Sequence, residues 1–205
     1  RSSDATVWLT DADVEAQVHA IERGAGEALT TDAEPDLVVV AVPPRSVADV
    51  AADMLERYPR ATVTDVASVK AAPLARLRGL TNGFERFVGG HPMAGREVSG
   101  PAGARADLFE DRLWVITATR ETTAERVADV QWLARTCGSL VVELDPHEHD
   151  RAVALTSHTP QLLASVLAAQ LVDADPSDVA VSGQGLRDTT RLADSGAELW
   201  TQIIS

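Results

Sequence analysis

The chain has 205 residues, 45% hydrophobic and 24% charged, enough to bury one substantial core and part of a second. Its formal charge of -13 argues against nucleic acid or an anionic membrane as partner, because a net negative field repels phosphates. The single cysteine, Cys137, excludes an internal disulfide and fits a reducing compartment, the cytoplasm by default. No run of about 18 apolar residues offers a membrane span, and RSSDATVWLTD at the start lacks the basic-then-apolar order of an export signal.

TVWLTD (6–11) reads as a short strand ending in an acid, and Val14, Val18 and Ile21 then recur at helical spacing until Gly24 stops that helix. DLVVVAVPP (36–44) is a continuous apolar run closed by two prolines, the pattern of a strand buried on both faces of a parallel sheet. Ser46 with Asp49 resembles a capping box opening the helix VADVAADMLERY. ATVTDVAS, a short helix around PLARL, RFVGG, LWVITAT, the helix TTAERVADVQWLARTCG and the strand SLVVELD continue the alternation. Alternating strands and helices predict a doubly wound, Rossmann-type α/β fold with a parallel sheet. From about residue 146 the pattern changes: HEHDRAVALTSHTPQLLASVLAAQLV keeps apolar residues at helical period, with Pro160 inside predicting a kink. The chain therefore divides into 1–145, a dinucleotide-binding domain, and 146–205, an all-helical domain.

In the dinucleotide-binding order the first strand is central and its turn carries G-x-G-x-x-G. No such loop occurs here. TVWLTD ends in Asp11, where the acid that holds an adenosine ribose belongs, so it reads as the second unit. The expectation is a sheet lacking its first βα unit in this sequence, and a helical domain also incomplete where LWTQIIS ends. A carboxylate at position 11 favours NAD over NADP, because it bonds ribose hydroxyls and repels a 2′-phosphate.

Four stretches concentrate unusual residue choices: TDVASVK (64–70), GGHPMAGREVSG (89–100), HDRAVALTSHTP (149–160) and GQGLRDTTRLADSGAELW (183–200). His91 ends a strand; an imidazole near its ordinary pKa of about 6.5 is mostly neutral at working pH yet able to take a proton. Gly89 and Gly90 leave room for a ligand against the backbone; a histidine that merely ends a strand is the plainer reading. Ser68 reads as the N-cap of a helix from residue 69, or with Lys70 as a nucleophilic dyad. Lys70 otherwise reads as a surface charge or a helper for an anion. Arg191 offers a planar fork that matches a carboxylate. Arg187 lies one turn earlier, with Asp188 to orient one of the two, although an exposed helix laced by ion pairs gives the same pattern. His158 reads equally as a core histidine, Trp200 as core packing, Glu97 as a surface acid, and Val42 with Pro43 as a strand end. HEHD (147–150) invites a metal, but His147 and His149, two apart on a helix, point to different faces, so no metal is expected.

In this order and near this spacing, the four stretches resemble the prephenate dehydrogenase family, which includes the arogenate dehydrogenases. The resemblance runs from about residue 6 to the end. It implies NAD-dependent oxidative decarboxylation of prephenate to 4-hydroxyphenylpyruvate in tyrosine biosynthesis, or the same chemistry on arogenate to give tyrosine directly. Hydride leaves the ring carbon bearing the hydroxyl, the hydroxyl loses its proton, and carbon dioxide departs as the ring becomes aromatic. The resemblance makes His91 the base on that hydroxyl and Ser68 its partner. It places Arg191 on a substrate carboxylate with Arg187 and Asp188 beside it, and His158 and Trp200 near the ring. It makes Glu97 an acid that gates or orders the pocket, and sets Asp11, Val42, Pro43, Ser68 and Gly90 along the NAD. A homodimer built on the helical domain is also implied. Arg96 stands where many relatives carry a small hydroxyl residue, which leaves prephenate versus arogenate open. A regulatory or binding protein of the same fold, without turnover, is the alternative that the missing glycine loop favours.

Overall fold

A computed structural model describes residues 5–95, 100–194 and 196–204, leaving aside the side chains at 198, 199 and 204. β1 (Trp8–Leu9) and β2 (Glu27–Ala28) pair in parallel, joined by α1 (Val14–Glu22). Asp13 starts this helix by accepting from the N–H groups of Glu15 and Ala16 at 2.9 and 3.2 Å. The helix predicted from Val14, Val18 and Ile21 forms, but Val14 is 70% exposed, Val18 48%, and no residue of α1 is buried.

β3 (Leu37–Val40) opens a second, five-stranded sheet, and no ladder joins the two sheets. As an edge strand it leaves Val39 42% exposed, so burial on both faces is not found. A 3-10 turn at Pro44–Ser46 leads into α2 (Val47–Arg57). The expected capping box does not form: Ser46 makes no side-chain cap, and Asp49 takes both its oxygens to Arg76 at 2.8 Å. β4 (Thr62–Asp65) lies between β3 and β5 and is wholly buried; α3 (Ala71–Arg78) and β5 (Phe87–Pro92), the central strand, follow.

β3, β4 and β5 are parallel, but β6 (Leu113–Thr117) pairs antiparallel to β5, and β7 (Leu140–Glu143) runs parallel to β6. The doubly wound architecture holds, with a mixed sheet. Between Pro92 and Leu113 the described residues include a 3-10 turn at Pro101–Gly103 but no crossover α-helix, so the chain returns beside β5 in the opposite direction. Phe87 packs with Val40, Leu55, Val63 and Leu77 beneath α2 and α3. Its neighbour Val88 points to the other face and joins Trp114, Ile116, Val130 and Ala134 under α4 (Ala124–Thr136).

The remainder is helical: α5 (Pro146–Val153), a π-helical turn at Ala154–His158, α6 (Thr159–Gln170), α7 (Pro176–Ala180), α8 (Gln184–Thr190), a 3-10 turn at Arg191–Asp194 and α9 (Ala197–Ile204). The kink expected from Pro160 takes the form of that widened turn. Proline has no N–H to give, and Thr159 Oγ1 donates to the Ala154 carbonyl at 2.7 Å where the regular ladder is interrupted. Among the described residues no helix is long and apolar enough to cross a membrane.

Candidate active site

Three parallel strands end on the same side of the sheet, and the C-terminal ends of such strands are where doubly wound folds bind ligands. Asp65 closes β4, and Lys70 stands at the head of α3; their side chains form an ion pair, each 2% exposed. Together they grip the backbone of one residue, Gly90, from both of its peptide units. Lys70 Nζ donates to the Gly90 carbonyl at 2.7 Å, and the Gly90 N–H donates to Asp65 Oδ1 at 3.1 Å. Asp65 Oδ2 also accepts from the Ala67 N–H at 3.1 Å. Lys70 is therefore neither a surface charge nor half of a nucleophilic dyad. Burial pushes its ammonium below the usual lysine range, against the pull of Asp65.

The paired glycines have a different cause from the one expected. A Cβ on Gly90 would lie 2.6 Å from the Asp65 carbonyl, and one on Gly89 would strike Thr117 Oγ1. Glycine is needed here because the protein itself fills the space. The Gly90 N–H and C=O are each already bonded to the buried ion pair.

The next residue, His91, is half-buried, with Nδ1 2.8 Å from Nε2 of His149. The rings meet edge to face, their centroids 5.0 Å apart. His149 is fully buried on α5, and its Nδ1 lies 2.8 Å from Asp150 Oδ1. Asp150 in turn caps α3 from another element, accepting from the Lys70 and Ala71 N–H groups at 2.8 and 2.9 Å. Ser68 is consequently not the helix cap. It sits half-buried in the β4–α3 connection, and among the described residues no hydrogen bond joins it to His91.

Burial, then the neighbouring Lys70, His149 and His158, push the His91 imidazole down to about 3, with Asp150 opposing. The ring is uncharged at any working pH, rather than poised near its ordinary value. Burial raises Asp150, but hydrogen bonds from His149 and from the Ala71 and Lys70 backbone outweigh it and hold this carboxyl below the usual range. In HEHD, His149 suggests a metal ligand by residue type, whereas the structure makes it the buried partner of His91. Its signal was the spacing of Pro146, His149 and Val153, all buried on one stripe of α5.

His158 comes from the π-turn. Its Nε2 is buried without a partner among the described residues, and its ring stands edge to face with Trp200 at 5.8 Å. Burial holds it below the ordinary histidine value, with Asp150 pulling the other way. Gln161, one turn further along α6, donates to the Leu192 carbonyl at 2.8 Å and so ties the Arg191 turn to the same helix. Arg187 and Arg191 are exposed, while Asp188 accepts from Gln184 Nε2 at 2.7 Å. α9, which carries Trp200, packs against the Pro44–Ser46 turn, next to half-buried Val42 and exposed Pro43 at the end of β3. Asp11 lies exposed beyond β1, one oxygen accepting from the Asp13 N–H at 2.9 Å; its remaining acceptor capacity fits ribose hydroxyls. Glu97 and Arg96 lie outside the described residues. No group of three metal-ligating side chains occurs among the described residues.

Residues 1–143 match the family model for the prephenate dehydrogenase nucleotide-binding domain, and residues 145–205 that for the prephenate dehydrogenase dimerization domain. A Streptomyces niveus protein named "Probable prephenate dehydrogenase NovF" is 37% identical over 183 residues, 89% of this chain and 51% of that protein. The chain thus spans about half the length of that relative. The crystal structure of prephenate dehydrogenase from A. aeolicus, in complex with hydroxyphenyl propionate and NAD+, superposes with a TM-score of 0.88 at 30% identity, over 97% of this chain and 72% of that one. The Synechocystis arogenate dehydrogenase structure gives a TM-score of 0.76 at 28% identity, over 97% and 74%.

Proposed function

The chain belongs to the prephenate dehydrogenase family, and from that premise we propose that it carries out the NAD-dependent oxidative decarboxylation of prephenate to 4-hydroxyphenylpyruvate. The observation that carries this reading is His91. It is an uncharged imidazole at the end of β5, engaged through Nδ1 from behind, so that Nε2 is the nitrogen left for a substrate hydroxyl.

NAD, when bound, supplies the hydride acceptor. Asp11 would hold the adenosine ribose, with Val42, Pro43 and Ser68 along the crevice, each at or just past the end of a strand. His91 accepts the hydroxyl proton as the ring carbon is oxidised to a ketone. When carbon dioxide leaves, the ring electrons return to that oxygen as a phenolate, and His91 gives the proton back. No net proton is released, so the base need hold its charge only while the ketone lasts. Arg191, with Arg187 near it, supplies the cations that an acidic protein needs to hold a dicarboxylate. His158 and Trp200 flank the ring.

The helical part, residues 146–205, is read as the surface of a homodimer. Leu155, Leu163, Val166, Val172 and Val181 are between 60% and 86% exposed there, apolar side chains of the kind a subunit interface covers. The lone Cys137 fits the cytoplasm. The test is NADH formation from prephenate and from arogenate. Turnover of prephenate is expected; turnover of arogenate alone moves the substrate assignment, and NADH from neither rejects the reading.

A further inference from the structure

The chain of contacts behind His91 does more than hold a ring in place. Asp150 receives an N–H on each oxygen, from Lys70 and Ala71, so its carboxylate can only accept. His149 must therefore place its proton on Nδ1, 2.8 Å from Asp150 Oδ1. A neutral His149 then presents a bare Nε2, and the 2.8 Å contact requires His91 to donate from its own Nδ1. That leaves His91 Nε2 unprotonated.

We propose that His149 and Asp150 are positioning residues that fix His91 in its Nδ1–H form and share the proton it takes from substrate. As Nε2 of His91 gains the hydroxyl proton, its Nδ1 proton passes to Nε2 of His149. One proton enters His91 and one leaves. The positive charge then rests on His149, against the Asp150 carboxylate, rather than on His91 near the Lys70 ammonium. When the phenolate forms, both protons retrace their path. An imidazole that resists protonation as strongly as His91 does serves as a base because the charge does not stay on it. The proton movement rests on the proposed dehydrogenase reading; the tautomer does not.

Spectra of the unliganded full chain labelled with ¹⁵N in its five histidines read the tautomer directly, with His91→Asn identifying the resonance. The expected result is a protonated Nδ1 and bare Nε2 at neutral pH. In His149→Phe, which keeps a ring but removes both nitrogens, His91 becomes a mixture of tautomers. Prephenate turnover falls about 10²-fold, the lower end of what losing acid–base assistance costs, with KM for prephenate unchanged. Asp150→Ala, which leaves both rings, is the second variant should the first not fold, and the same tautomer mixing is expected. A wild-type His91 protonated on Nε2 overturns the proposal whether or not the chain turns over prephenate. So does a variant that folds, keeps the wild-type tautomer and loses activity through KM alone. The expected tautomers in a protein inert toward both substrates reject the functional reading while leaving the positioning role intact.

Discussion

Behind His91, Lys70, Asp65 and His149 are at most 3% exposed and, with Asp150, are bonded to one another and to backbone. Around Arg191 the functional side chains are exposed and stand on short elements, seven residues of α8 and a four-residue 3-10 turn. The first arrangement fixes dipoles and charges before any ligand arrives, in a dry setting where they act strongly. The second offers charge at the surface, on elements only a turn or two long.

Substitutions on the two sides should therefore differ in kind, and the largest effect belongs to the base itself. His91→Asn should lower kcat by about 10²- to 10⁴-fold while leaving the thermal melt near that of the parent. Lys70→Met should act on the fold instead. It strands Asp65 as a buried charge and removes the Gly90 carbonyl bond, at a cost of about 3 to 5 kcal/mol in denaturant unfolding. If Lys70→Met melted like the parent, the buried network would not be the rigid side of this comparison. Arg191→Ala should raise KM for prephenate about 10-fold or more, the loss of a charged hydrogen bond of roughly 1.5 to 3 kcal/mol, with little change in stability. Arg187→Ala, exposed on a short helix, should change unfolding free energy by no more than about 0.5 kcal/mol.

Acid separates the two sides as well. Unfolded, His91 takes a proton near its ordinary value of about 6.5; folded, it resists until about 3. Across that window the unfolded state binds the extra proton, so stability falls as pH drops from about 6.5 and is level in this respect above it. His158 shifts in the same direction. Melting temperatures at about pH 7 and pH 4.5 should show the loss, and His91→Asn should flatten it; an unchanged slope in that variant would assign the effect elsewhere.

The alternation of apolar runs and helical stretches made the doubly wound fold legible, because strands and helices imprint different periods on the sequence. Periodicity says which face is apolar, not what covers it. Val14 and Val18 show this: their spacing is helical and their faces are bare. The reversal of β6 was hidden in the same way, since strand direction depends on the connection rather than on the strand's own residues. At the site, His91, His158 and Trp200 stood out as residue types in motifs, and the fold pairs His158 with Trp200. The roles of His149 and Lys70 were not legible, because they come from partners 58 and 20 residues away. A lysine in a polar segment looks like a solvated charge until a buried aspartate is found facing it.

Asp150 belongs to α5, yet it terminates a helix of the sheet layer and steadies the histidine next to it. One carboxylate thus rivets the helical portion of the chain to the sheet directly behind His91. Parting these layers there would uncap α3 and release the imidazole pair in a single motion.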